Sequence, residues 1–133
     1  EDDMVTVPAN LETFADKGRY SSPEFAWNMS VGVTALDFLT GDTLGQEYEN
    51  DLFVADYNND YLYDFELSED RTKLDLEGEL VDKIANNNGE LENVALGQGF
   101  GVITDIKEGP DGYLYLLSHI HGNIYRIVPN LPT

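Results

Sequence analysis

The chain has 133 residues, enough for one ordinary domain, and 41% of them are apolar, which supports a core and excludes global disorder. Twenty-six acidic residues against seven basic ones give a formal net charge of −19, a surface that repels phosphate backbones and anionic membranes and excludes nucleic-acid binding. Cysteine is absent, which excludes disulfides, thiolate catalysis and Cys-based metal sites, and no apolar run approaches the roughly 18 residues of a membrane span.

Along the chain, the acidic opening Glu1-Asp2-Asp3 is the reverse of a basic signal-peptide n-region. Residues 1–22 read as an irregular lead-in, with one short β-like piece at Met4–Val7 and a polar stretch at Asp16–Ser22. Apolar and aromatic residues then alternate in short runs, the mark of strands. The first is Val33–Leu39, followed by a turn-rich stretch over Thr40–Asn50. Asp51–Asp56 and Tyr61–Leu67 come next, separated by Tyr57-Asn58-Asn59-Asp60. Asn and Asp tolerate positive φ and hydrogen-bond their own backbone, so this is a hairpin turn. The alternation over Lys73–Val81 predicts a fourth strand, and Ile84–Leu96 reads as polar and Asn-rich with a short helical turn at Glu90–Val94.

The pattern then restarts. Val102–Lys107 leads into the turn Gly109-Pro110-Asp111-Gly112. After it come Tyr113–Ser118 and Asn123–Val128, divided by His119-Ile120-His121-Gly122. The two hairpins align without a gap at an offset of 62 residues, which puts Leu52, Tyr63 and Phe65 on Leu114, Tyr125 and Ile127. Thr34-Ala35-Leu36 falls on Thr104-Asp105-Ile106 once the longer first loop is allowed for. Such a period is expected of all-β propeller blades; a β-sandwich also suits short, evenly spaced strands, but not the ungapped repeat. Two blades cannot close a ring. The remainder of the propeller is therefore expected from further polypeptide or a second chain.

Several segments resemble the soluble glucose/sorbosone dehydrogenases, six-bladed quinoproteins that use pyrroloquinoline quinone (PQQ) and calcium. Tyr20–Leu39 is similar to that family's Pro…Trp…Ser-Ile-Ala blade opening, and Tyr48–Leu67 to the hairpin after it. Gly99–Pro129, with its Gly-Pro-Asp-Gly turn and Gly-x-Ile-Tyr-Arg-Ile ending, resembles the last blade. The resemblance implies three parts: a lead-in or edge of a preceding blade over 1–22, the penultimate blade with its trailing loop over 23–98, and a three-stranded last blade over 99–133. It implies a secreted, extracellular or periplasmic protein that oxidises aldose sugars. The family's catalytic histidine and its Gly-Pro calcium loop lie upstream of the covered region. Two cationic cofactor anchors fall inside it. The family's turn Lys is replaced within Tyr57-Asn58-Asn59-Asp60, and its Arg-x-Arg-Asp element reads Val102-Ile103-Thr104-Asp105. By position, Asn58, Thr104 and Asp105 are thus the cofactor-side candidates.

The residues suggest further candidates. Asp56, Asn58 and Asp60 alternate as D-x-N-x-D and offer oxygens to a hard cation such as Ca²⁺, or else cap their own turn. His119 and His121 are channel-face candidates for proton transfer or metal ligation, although i and i+2 in an extended segment point oppositely. Trp27 reads as inter-blade packing, and Asn28-Met29-Ser30 is a glycosylation sequon. Two functions follow: a portion of a PQQ-dependent sugar dehydrogenase, or a non-catalytic extracellular propeller that binds calcium, a glycan or a protein partner.

Overall fold

The computed structural model describes residues 17–18 and 21–130. The β-like piece at Met4–Val7 and the lead-in through residue 16 lie outside the described residues. Among those described, the chain is all-β, with three short 3₁₀ turns and no α-helix. Among the described residues, no helix is long and apolar enough to cross a membrane.

Two antiparallel sheets carry the fold. The first is a meander of β2 (Val33–Phe38), β3 (Leu52–Asp56), β4 (Tyr61–Phe65) and β6 (Ala95–Gln98), in that order. The second runs β7 (Ile103–Glu108), β8 (Leu114–Ser118) and β9 (Asn123–Ile127). A two-residue parallel pair, β1 (Ala26–Trp27) with β5 (Ile84–Ala85), stands apart from both.

The repeat seen in the sequence is a repeat of register. Leu52 pairs with Phe65 in the first hairpin, and Leu114 with Ile127 in the second, at the same offset of 62. The opening strands match as well. A bulge between Val33 and Ala35 in β2 recurs between Ile103 and Asp105 in β7. A bulge re-aims the strand end, so both copies bend at the same step.

One expectation fails. Lys73–Val81 makes only a single bridge, Leu67 to Leu74, and Gly78–Asp82 winds into a 3₁₀ turn. Positive φ at Arg71 (59°) and Gly78 (61°) breaks the extended path. Its leucines turn inward instead, where Leu74 and Leu80 cover the face of Val54, Tyr63 and Phe65. The fourth strand is β6, drawn from the end of the stretch that read as polar. Gly97 in β6 makes room for the Phe100 ring, which a Cβ there would meet at 3.1 Å. The helical turn expected at Glu90–Val94 is the 3₁₀ segment Asn88–Asn93, capped by the Asn87 side chain.

Alternation gives the first sheet two buried faces. Phe53, Ala55 and Leu62 face the second sheet and pack with Ile103, Ile106, Leu114 and Leu116. Val54, Tyr63 and Phe65 face the other way, under Phe25, Trp27, Leu80 and Leu91. Trp27, read as inter-blade packing, is half-buried on the face turned away from the second sheet, with its ring centroid 5.6 Å from that of Tyr63. The inner strands β2 and β7 lie side by side, and the Thr34 hydroxyl of β2 donates to the Ile103 carbonyl of β7.

Candidate functional site

The loops singled out in the sequence gather at one end of the two sheets. The β3–β4 turn is tied to the lead into β2: the amides of Tyr57 and Asn58 donate to the Val31 carbonyl, and Asn58 Nδ2 to the Ser30 carbonyl. It also meets the end of β6, with Gln98 Nε2 donating to the Asn59 carbonyl at 3.3 Å. Beside it, the His119 amide donates to the Val102 carbonyl, which joins the β8–β9 turn to the start of the second sheet.

Asp56 is the hub of the first turn and is fully buried. Its Oδ1 accepts from the amides of Asn59 (3.0 Å) and Tyr61 (3.3 Å). Its Oδ2 accepts from Asn59 Nδ2 at 3.1 Å and from the Tyr63 hydroxyl. A carboxylate so supplied with donors is stable in the interior because each lone pair lost from water is replaced. Burial and then the bond to Asp56 raise the Tyr63 phenol above its ordinary value, so it remains a donor. The D-x-N-x-D alternation thus has a complete account as a turn: Asp56 points inward, Asn58 is spent on Ser30, and Asp60 takes the positive φ of 57°. Among the described residues, no three His, Cys, Asp or Glu side chains converge on a metal position.

The second turn is the same device in other chemistry. Ser118, at the repeat position of Asp56, is buried and accepts from the His121 amide at 3.4 Å, as Asp56 accepts from Asn59. A hydroxyl cannot take the remaining donors, so Tyr125, the counterpart of Tyr63, turns its OH outward. That OH meets His121 Nδ1 at 3.0 Å and Asn123 Nδ2 at 3.1 Å. His121, Asn123 and Tyr125 therefore form an accessible polar group beside Gly101, whose hydrogen side leaves room for Ser118 and the His121 ring. His119 is exposed two residues away, and its ring bonds no other described residue. The two histidines do not converge.

Thr104 and Asp105 sit within β7 and are exposed. The Thr104 hydroxyl donates to the Leu117 carbonyl at 3.4 Å, just as Thr34 donates to that of Ala55 across the matching bulge. Its role is to cap the bulge. Asp105 lines a shallow depression on the outer face of the second sheet with Lys107, Tyr115, Leu117 and Ile124.

A tricarboxylate quinone needs cations, and these loops hold none. None of residues 30–32, 56–61, 99–102 and 118–123 is Lys or Arg. Asn58, Thr104 and Asp105 do not fit such a cofactor: the first two are committed to backbone carbonyls, and the third repels it. The sequence singled out the Ser118–Gly122 loop but gave Ser118 and Tyr125 no role, although the offset that puts Tyr125 on Tyr63 also puts Ser118 on Asp56.

Comparison with known proteins adds three findings. The family described as Glucose / Sorbosone dehydrogenase matches residues 7–126. A solved glucose dehydrogenase structure is similar at 23% identity with a TM-score of 0.48, over 72% of this chain and 25% of that one, so the chain spans about a quarter of its length. No curated protein matches.

Proposed function

The chain belongs to the glucose/sorbosone dehydrogenase family, and we propose that it forms two neighbouring blades of a sugar dehydrogenase-like β-propeller completed by polypeptide outside this sequence. The observation that carries this reading is the repeated register. Two sheets with the same hairpin pairing and the same bulged first strand lie with those first strands side by side, as blades around an axis do. Leu36 (56% exposed) on β2, and Leu117 and Ile124 (45% and 73%) on the outer face of the second sheet, are apolar surface that further blades would cover.

Within that ring, the contribution of these blades is neutral hydrogen bonding. His121, Asn123 and Tyr125 offer donors and acceptors that match sugar hydroxyls, without charge. The cationic grip on PQQ, the calcium ligands and the proton-abstracting base then belong to other blades. An extracytoplasmic address is part of the same proposal.

One observation favours a second reading. The absence of any Lys or Arg from the described site loops suits a propeller that has kept the fold and binds a neutral or cationic ligand without quinone chemistry. Equilibrium binding of PQQ to the intact protein with Ca²⁺, followed by aldose-dependent dye reduction, decides between them. The dehydrogenase reading expects both. A folded, intact protein that binds no PQQ and reduces no dye establishes the second.

A further inference from the structure

At the opposite end of the first sheet lies a cavity of about 570 Å³ with a different character. Phe53 of β3 is paired with Asp64 of β4, and strand alternation puts Asp51, one step before β3, on the same face. Both aspartates line this cavity, and Asp51 is only 4% exposed. Glu66 lines it from the end of β4, Glu47 and Tyr48 from the turn before β3, and Asp75 and Glu77 from the segment after β4. Among the described residues, no Lys, Arg or His lines it. Arg71 borders an adjoining depression with Asp51 and Glu66, away from Asp64.

Asp64 Oδ1 is buried and receives no hydrogen bond. A buried carboxylate oxygen with no donor demands an explanation. Asp51 stands within hydrogen-bonding reach of Asp64; among the described residues no cation lines the cavity, and the Asn93 side-chain amide that lines it does not bond that oxygen. Two carboxylates so placed cannot both be charged, and a single hydrogen held between them satisfies both.

We propose that Asp51 and Asp64 share one proton at neutral pH, and that its loss loosens the connection closing β2 against β3. Asp51 is part of that closure: its carbonyl accepts from the Leu39 amide, and its own amide donates to the Tyr48 carbonyl. Mutual repulsion after ionisation pushes Asp51 off this position. Burial foremost, then the bond to Asp51 and its charge, with Glu66 adding further, raises the Asp64 carboxyl to about 8. Asp51 is likewise raised, chiefly by burial. The folded state therefore holds a proton that the unfolded chain has released. The pair's stabilisation is complete below the ordinary carboxylate range and is lost as pH rises through about 8.

Infrared difference spectra of the intact, unmutated protein between about pH 5 and about pH 9 test this directly. A protonated-carboxyl C=O band that disappears near the upper end supports the shared proton. Its absence throughout overturns it. Asp64→Asn supplies the second arm, because its amide donates to Asp51 without a titrating proton. The band should vanish in this variant, and its unfolding temperature should exceed that of the unmutated protein by an amount that grows with pH. Parallel curves for the two proteins overturn the proposal. Should Asp64→Asn not fold, the spectra of the unmutated protein decide alone.

Discussion

The two hairpin turns share a backbone and differ in what sits at their centre. Asp56 gathers four donors from its own turn and from Tyr63. Ser118, at the equivalent position of the second copy, takes one backbone amide. The carboxylate draws the Asn59 side chain, two turn amides and the Tyr63 hydroxyl inward. The hydroxyl leaves the equivalent tyrosine to bond outward with His121 and Asn123. The same fold thus yields one turn that serves structure and one whose polar groups remain available to a ligand.

The largest effect should come from breaking the first turn. Asp56→Ala strands the amides of Asn59 and Tyr61, and the Tyr63 hydroxyl is left without its acceptor. The expected loss is about 3 kcal/mol or more, since each buried donor left unpaired costs about 1–3 kcal/mol. Denaturant unfolding checks it. Ser118→Ala strands a single amide and should cost about 1 kcal/mol. Equal losses would remove the distinction between the turns.

Asp64 sharpens the contrast from the other end of the same hairpin. It is a carboxylate without the donors that Asp56 enjoys, and it pays for burial by holding a proton. Because its folded value lies above its unfolded one, stability should decline as pH climbs from about 5 to about 9. The group is partly open to solvent, so the decline should be on the order of 2 kcal/mol and not the full conversion of its shift. Asp51→Asn should flatten the profile, and combining it with Asp64→Asn should add little, since the two groups titrate as one.

How much of this was legible in the sequence depends on the reach of the interaction. The hairpins and the repeat were readable because alternation and an Asx-rich turn are local signals, and Tyr63 on Tyr125 fixed the offset. The fourth strand was not. Lys73–Val81 alternates more strongly than Ala95–Gln98, but the edge of β4 is filled by Ala95–Gln98, and that is a tertiary choice. For the site, residue types left both metal ligation and turn capping open at Asp56, Asn58 and Asp60, and spacing alone does not tell an inward carboxylate from an outward one. The Asp51–Asp64 pair did leave a trace. Asp64 shares a strand face with Leu62, so a charge stands where the pattern calls for an apolar residue.

Gly101 gives a smaller test of why the second turn is open. Its φ is 74°, and a Cβ there would stand 2.9 Å from Ser118 Oγ and 3.3 Å from the His121 ring. Gly101→Ala should cost about 1–2 kcal/mol through backbone strain and displaced neighbours. It should also perturb the His121 resonances, whereas those of the first turn stay in place in the same spectrum.

The smallest effect is the most discriminating, because it exchanges one atom at equivalent positions. Tyr63→Phe removes a donor from a buried carboxylate and should cost about 1 kcal/mol or more. Tyr125→Phe removes a hydroxyl whose partners, His121 and Asn123, are exposed and regain water, so stability should change by no more than about 0.5 kcal/mol. What should change is His121, whose Nδ1 loses its 3.0 Å neighbour. A shifted Nδ1 resonance in Tyr125→Phe with an unchanged unfolding midpoint is the expected pair of results. A loss matching that of Tyr63→Phe would mean that the second turn is held together by its tyrosine as firmly as the first, and that His121 and Asn123 belong to the scaffold and not to the ligand-facing surface.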